Sequence, residues 1–303
     1  MSEGPRIIAV VVTFDRLALV QRLVETLERT PELAEILVVD NASTDGTGEW
    51  LAGLDGSVLG RTLATNTGGA GGFATGLSWA VERGADLVWL MDDDGVPAED
   101  CLATLLRHDD LDFWGPVVVD EADPSRLVFS IRPPGATSPF TTYAEVAAAA
   151  DDTGVLRDIV IPFNGVLVTA ALVERIGVPR AEFFIWGDDH EYRLRAEAAG
   201  ARIATVVAAR FEHPAVGALG TPMLRGRMTY NDSPSDLKHY CMARNNLLNL
   251  RDYRGWLFAL AFVAKTLWFY TFTRPSASRV VLSLRAWWAA VRGDFTGHQR
   301  YLR

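Results

Sequence analysis

Val88-Trp89-Leu90-Met91-Asp92-Asp93-Asp94-Gly95 is the stretch on which the fold turns. Four apolar residues run into three consecutive carboxylates and a glycine. A short apolar run of this kind reads as a buried strand, which places the acids at its C-terminal end. Ligands of open α/β sheets bind just outside the carboxyl ends of the strands. Three adjacent acids repel one another unless something positive lies among them. Hard divalent cations such as Mg²⁺ or Mn²⁺ favour oxygen ligands, typically one or two carboxylates together with substrate phosphates. Extended geometry turns Asp92 and Asp94 to one side and Asp93 to the other, so the cation pair is Asp92 and Asp94. The competing reading, a solvated turn, sits poorly with the apolar strand that feeds it. An EF-hand loop needs spaced acids and a distant Glu, which contiguous acids do not supply.

Upstream, Ile7-Ile8-Ala9-Val10-Val11-Val12-Thr13 is an apolar β-branched run and reads as a first buried strand, followed by an amphipathic helix over 17–28. Glu35-Ile36-Leu37-Val38-Val39-Asp40 is a second strand ending in an acid. The turn Asn41-Ala42-Ser43-Thr44-Asp45-Gly46-Thr47 offers Ser43 or Thr44 as cap of a short helix through Leu51. A third strand is expected over 58–65, a helix over 70–83 opening in a glycine-rich loop, a strand over 86–91 and a helix over 98–107. This alternation predicts a doubly wound, mostly parallel α/β sheet, with Asp40 and the acidic triplet converging on one crevice. Downstream, 121–142 reads as a hairpin or surface excursion, 170–176 as a short helix stopped by Gly177 and Pro179, and 188–199 as a helix. A strand over 203–207 and a loop-like stretch over 215–236 follow.

At 303 residues, 49% apolar and 22% charged, the chain can build one large or two small domains. Cys101 and Cys241 form neither a metal cluster nor a disulfide framework and point to a reducing compartment. The opening Met1-Ser2-Glu3-Gly4-Pro5-Arg6 has no basic leader before an apolar core, so no secretory signal is expected. The net charge of −9 is unevenly spread: 250–303 carries nine Lys/Arg against two Asp, which leaves −16 on 1–249. An acidic body argues against a nucleic-acid groove. The basic tail holds Trp256, Trp268, Trp287 and Trp288 and suits an anionic membrane surface. Within it, 256–273 is nearly all apolar apart from Lys265, and 276–292 interleaves apolar and Arg positions. A mid-segment Lys makes spanning costly, so two helices lying in the interface are expected, with a packing or dimer-forming helix as the alternative.

Three further constellations carry chemistry. Asn66-Thr67-Gly68-Gly69-Ala70-Gly71-Gly72-Phe73 opens a helix and can approach a ligand backbone-first. Part of it also matches the dinucleotide fingerprint, which gives a nicotinamide- or flavin-dependent enzyme as an alternative, although that fingerprint belongs after the first strand. Asp188-Asp189, after the aromatic Phe183-Phe184-Ile185-Trp186, reads either as helix N-terminal acids or as a general base with aromatics that stack on sugar faces. His213, at the end of a late strand, is a candidate third ligand for the metal, with His190 the weaker competitor.

Taken together, these residues resemble glycosyltransferase family 2, of the GT-A fold and the inverting type. The resemblance lies in the first strand with Thr13, in Val39 through Thr47, in Asp92-Asp93-Asp94 as the D-x-D motif, in Gly187-Asp188-Asp189 as the base motif, and in His213. Asn66 to Phe73, Trp89 to Pro97, Phe163-Asn164-Gly165, Ile176-Gly177-Val178-Pro179, Gly226-Arg227-Met228, Asn231 to Asp236 and Tyr240 to Asn246 are similar to the galactofuranosyltransferases that start cell-wall galactan on a polyprenyl-diphosphate acceptor. Rhamnosyltransferases using dTDP-rhamnose share much of the pattern. The resemblance implies Thr13, Asp40 and Asn66 on uridine and ribose, with Gly69, Asp93 and Trp186 completing the nucleotide-sugar set. It further implies Asp92, Asp94 and His213 on Mn²⁺ or Mg²⁺, Asp189 as base and Asp188 as a sugar-positioning acid. The expected enzyme moves galactofuranose from UDP-galactofuranose to a polyprenyl-linked rhamnosyl-GlcNAc acceptor. It is expected to sit peripherally on the cytoplasmic face of the plasma membrane, and its oligomeric state stays open. The expected domains are 1–250, with a nucleotide half over 6–115 and an acceptor half over 116–250, and a helical tail over 251–303.

Overall fold

The computed structural model of the chain describes residues 4–217 and 220–302; the first three residues of the opening stretch, and Arg303 of the tail, lie outside the described residues. In chain order the elements are β1 (Ile7–Thr13), α1 (Leu17–Leu27), β2 (Leu33–Asp40), α2 (Thr47–Ala52), β3 (Val58–Thr62), α3 (Gly68–Glu82), β4 (Leu87–Asp92), β5 (Val96–Pro97), α4 (Cys101–Leu105), β6 (Phe113–Asp120), β7 (Arg126–Ile131), β8 (Phe140–Thr142), α5 (Tyr143–Ala148), β9 (Val155–Arg157), β10 (Asn164–Thr169) and α6 (Ala170–Ile176). They continue with α7 (Asp188–Ala198), β11 (Ile203–His213), β12 (Thr221–Met223), β13 (Met228–Tyr230), α8 (Asp236–Arg254), α9 (Trp256–Trp268) and α10 (Ala277–Arg292). The chain forms two compact units, Met1–Pro179 with Arg195–Ala215, and Arg180–Leu194 with Val216–Arg303.

The first unit is a large mixed sheet in the order β3-β2-β1-β4-β10-β6-β11-β5, with helices on it. β1 is buried at every position, as its β-branched run requires. Strands β3, β2, β1 and β4 are parallel, while β10 enters antiparallel between β4 and β6. On α1, Val20, Leu23, Val24 and Leu27 recur at helical spacing and are the buried face. The glycines of α3 let that helix lie close on the sheet: a Cβ at Gly72 would meet Val12 Cγ1 at 2.4 Å, and one at Gly76 would meet Val10 Cγ1 at 2.3 Å. The register pairs Thr13 with Asp40 and Val12 with Asp92, so these side chains end neighbouring strands on one edge of the sheet.

Several boundaries differ from those expected. β3 stops at Thr62, and α4 covers only Cys101–Leu105. β11 runs on to His213 because a register shift between Val206 and Arg210 keeps it paired with β6. The excursion after β6 becomes β7 and β8 followed by α5, whose Thr142 and Glu145 form a reciprocal capping box. No break falls at 116, which lies inside β6.

In the second unit, 215–236 contains the β12–β13 hairpin. The boundary expected at 250 falls inside α8, because charge changes sign there but packing does not. His239 of α8 bonds Ser283 of α10 at 2.9 Å and the Tyr270 hydroxyl at 3.2 Å. Met223, Tyr230, Met242, Phe269 and Tyr270 form the apolar centre of this unit. α9 continues through a π-helical turn, Phe269–Thr273, and α10 is capped by Ser276. Trp256–Thr273 is by length and composition apolar enough to cross a membrane, with 22% of it buried.

Candidate active site

The loops after β1 and β2 are sewn together. Asp15, at φ 51°, accepts from Thr44 N at 2.7 Å, and its own N–H donates to Ser43 Oγ at 2.8 Å. Asp45 accepts from Leu17 N at 2.8 Å and so satisfies the start of α1. Ser43 and Thr44 are therefore tied to Asp15, while the residue preceding α2 is Gly46, without a side-chain cap. Asn41 fastens the glycine-rich loop to the sheet edge: its Nδ2 donates to Gly68 O at 2.7 Å and its Oδ1 accepts from Thr67 N at 2.8 Å. Asn66 Oδ1 accepts from Gly68 N at 2.8 Å. Nothing lies within 4 Å of where a Cβ of Gly69 would sit, so the backbone there is open to an approaching group.

β4 ends at Asp92, and Asp93 and Asp94 belong to the turn that follows, so strand alternation does not separate them. Both bond the same guanidinium, Arg16 Nη1 donating to Asp93 Oδ1 at 2.9 Å and to Asp94 Oδ2 at 2.7 Å. Buried Thr13 donates to the other Asp93 oxygen at 2.6 Å. The remaining Asp94 oxygen lies 3.1 Å from His213 Nε2, and His213 Nδ1 is 2.7 Å from the Pro214 carbonyl. Burial pushes Asp93 above the ordinary carboxylate range, against its bonds from Thr13 and Arg16. Burial also pushes Asp94 up, but the bonds from His213 and Arg16 outweigh it and hold Asp94 low. At His213 burial pulls down, and Asp94 outweighs it to hold the imidazole high.

Asp40 is fully buried; its Oδ1 accepts from Ser43 N, and its Oδ2 has no partner among the described residues. A buried acceptor left open is costly unless something donates to it. Next to the triplet, the Asp92 N–H donates to the Phe163 carbonyl at 3.0 Å. Phe211 packs so near Gly95 and Gly165 that a Cβ would meet its ring at 2.1 and 2.6 Å.

A divalent metal is tested by the donors that converge. With Nδ1 committed to a main-chain carbonyl, an imidazole that gives up its Nε2 proton to an arriving cation would present that lone pair beside an Asp94 oxygen, the arrangement metal-binding histidines use. Asp94 and His213 therefore fit one arm of an oxygen-and-nitrogen site for Mn²⁺ or Mg²⁺. Among the described residues no three His, Cys, Asp or Glu groups are gathered as a complete metal cluster.

The acid pair belongs to the second unit. Asp188 is buried and Asp189 half-buried, at the first turn of α7. Burial drives both carboxyls upward; Asp189's charge adds to the rise at Asp188, and at Asp189 main-chain bonds from His190 and Gly187, and then Arg193, only partly offset it. Burial drops His190 to about 4, which keeps it neutral. Trp186 is half-buried, at φ 63°, against the apolar centre of this unit.

Residues 8–120 match the family model of glycosyl transferase family 2. Over 304 aligned residues, 95% of this chain and 95% of the relative, the sequence is 31% identical to galactofuranosyltransferase GlfT1 of Mycolicibacterium smegmatis. The chain belongs to glycosyl transferase family 2. It is also 33% identical over 297 residues to GlfT1 of Mycobacterium tuberculosis, covering 90% of this chain and 91% of that one. Among solved structures, GalNAc-T7 with UDP, GalNAc and Mn²⁺ superposes with a TM-score of 0.60 at 15% identity, over 99% of this chain and 59% of that one. The fold is GT-A and the protein is a glycosyltransferase, so the alternative of a dinucleotide-dependent enzyme falls away.

For a family 2 glycosyltransferase, the structure brings Thr13, Asp93, Asp94 and His213 into one bonded chain, with Asp40 and Asp92 on the same sheet edge. Asp188, Asp189 and Trp186 lie in the second unit. Sequence reasoning missed Arg16, which holds the chain together. Its signal was a lone cation just after the first strand, facing acids that lacked one. It also missed the polar residues of α8 that hold the segment before Asp188.

Proposed function

We propose that this glycosyltransferase moves galactofuranose from UDP-galactofuranose to a polyprenyl-diphosphate-linked rhamnosyl-GlcNAc acceptor, with inversion. The observation that carries this reading is the likeness to GlfT1 along 95% of the chain, with acids at the strand ends. The open Oδ2 of Asp40 and the bare backbone at Gly69 suit the nucleoside, alongside Thr13, Asn66 and Asp93. Asp94 and His213, with Asp92 at the end of β4, would hold Mn²⁺ or Mg²⁺, which when bound offsets the charge that builds on the departing diphosphate. Asp189 takes the acceptor hydroxyl's proton as the new bond forms, and Asp188 orients the sugar. A carboxyl whose proton affinity burial has raised is suited to that transfer. A panel of nucleotide sugars with Mn²⁺ and a short lipid-linked acceptor tests the donor. Transfer from UDP-galactofuranose alone is expected, and transfer from dTDP-rhamnose instead would discard the galactan reading.

The tail, 251–303 with the α8 end that packs on it, holds the enzyme peripherally at the cytoplasmic membrane surface in this reading. On α10 the exposed positions Val281, Leu284, Arg285, Trp288, Val291 and Arg292 make one helical face of apolar and cationic groups. Arg251, Arg274 and Arg279 are ion-paired with Asp252, Asp232 and Asp236. No described carboxylate pairs with Arg285, Arg292 or Arg300, which leaves those cations for anionic headgroups.

A further inference from the structure

α8 carries Arg244, Asn245 and Asn249 almost wholly buried. Buried polar groups are kept where they are bonded, and here most of their partners are the main-chain carbonyls of one short segment, 182–187, while Arg244 Nη1 also donates to Phe295 O at 3.2 Å. Arg244 Nη2 donates to Phe183 O at 2.8 Å and Glu182 O at 3.3 Å, and its Nε donates to Asn245 Oδ1 at 2.9 Å. Asn245 Nδ2 is shared among Phe183 O at 3.0 Å, Ile185 O at 3.1 Å and Trp186 O at 2.7 Å. Asn249 Nδ2 donates to Gly187 O at 2.8 Å, and the Tyr253 hydroxyl donates to Glu191 Oε1 at 2.6 Å. Asn245, Asn249 and Tyr253 recur every four residues and so share one face of α8.

The segment they receive is strained. Phe184, Trp186 and Gly187 have φ of 68°, 63° and 91°. Non-glycine residues hold such φ values only where the surroundings over-determine them. The helix approaches closely as well: a Cβ on Gly187 would lie 3.3 Å from Asn245 Cβ. Apolar packing could fix where this segment lies, but only donors fix which way its carbonyls point. The segment runs directly into Asp188, the first residue of α7.

We propose that Asn245 and Asn249 are positioning residues for the acid pair. By holding the carbonyls of 183, 185, 186 and 187 they set the direction in which α7 starts, and with it the placement of the Asp189 carboxylate. This rests on the reading of Asp189 as the base. Tyr253 on Glu191 secures the first turn of α7 from the same helix face.

The test uses the full chain and the donor that the wild type turns over in the nucleotide-sugar panel, with Asn249→Ala, Asn245→Asp and Asp189→Asn measured side by side. Asn245→Asp keeps the size of the side chain but replaces the shared donor with an acceptor. Losing one buried bond should lower kcat about tenfold in Asn249→Ala, and losing three about a hundredfold in Asn245→Asp. UDP-binding stoichiometry should hold at the wild-type value. The acid limb of the kcat–pH profile should move to lower pH, because a loosened segment admits water to carboxyls whose proton affinity burial now raises. A fall in kcat that only tracks UDP-binding stoichiometry, with the acid limb unmoved, would reduce the asparagines to folding residues and overturn the proposal. Unchanged Asn249→Ala beside an inactive Asp189→Asn would overturn it while leaving the base in place. An active Asp189→Asn would remove the base reading itself. Hydrogen exchange gives a readout independent of turnover: the amides of 185–189 should exchange about tenfold faster in Asn249→Ala. Equal exchange would also overturn the proposal.

Discussion

The chain keeps two groups of adjacent aspartates and treats them in opposite ways. The triplet Asp92-Asp93-Asp94 is met by positive partners: Arg16 bridges two of its carboxylates and His213 faces a third oxygen. The pair Asp188-Asp189 is met mainly by burial. Asp94 is consequently held below the ordinary carboxylate range, and the pair is driven above it. Burial still lifts Asp93, but at Asp94 the arrangement preserves negative charge, which suits the proposed cation beside a diphosphate; at the pair it raises proton affinity, which suits the proposed acceptance of a proton from a sugar hydroxyl. Under the proposed function, environment and not residue type divides the work.

The largest effect that could break this contrast is at Asp189. Asp189→Asn should lower turnover by roughly 10³-fold, within the usual span for a positioned base, while UDP affinity measured by calorimetry stays near wild type. Turnover close to wild type would show that the raised proton affinity of the pair serves no proton transfer. Weakened UDP binding would show instead that the pair belongs with the nucleotide.

The two groups also differed in how much of them was visible in the sequence. The apolar runs of β1, β2 and β4 announce themselves, because strands buried on both faces need no alternation to be recognised. Where each run ends decides which acids share a site, and there the sequence misleads: β4 stops at Asp92, so the alternation assumed through Asp94 has no strand to carry it. Arg16 is 77 residues from Asp93, a distance no local pattern spans. α8 was hidden for a different reason. Its Arg244, Asn245 and Asn249 point inward, so its apolar periodicity is broken by the residues that hold the segment before Asp188. In both groups the acids were legible as residue types, and His213 was legible beside the triplet, but Arg16 and the polar residues of α8 were not.

Arg16 allows the first half of the contrast to be sharpened. Arg16→Ala leaves Asp93 buried without its cation and removes one of the two groups that hold Asp94 low. Because Arg16 is half exposed, the loss should be modest, about 1–2 kcal/mol, read as a fall of a few degrees in Tm. Millimolar Mn²⁺ should then raise Tm more in the variant than in the wild type, since the ion offsets charge that Arg16 otherwise neutralises. Equal shifts in both proteins would mean that Arg16 and the cation act on different carboxylates.

The second half is tested most gently at Asp188, where stability alone is read. A carboxyl whose folded pKa lies above its unfolded value binds its proton more tightly when folded. Its contribution is fully present below the unfolded value, near pH 4, and is lost as pH rises through the folded value. Asp188→Asn, neutral at every pH, should therefore match the wild type near pH 4 and exceed it at pH 8 by roughly 3 °C in Tm, a margin of about 1 kcal/mol. The opposite slope, with the variant losing ground as pH rises, would mean that Asp188 is stabilised as a carboxylate in the fold. The pair would then resemble Asp94, and burial could no longer be what sets the two groups of aspartates apart.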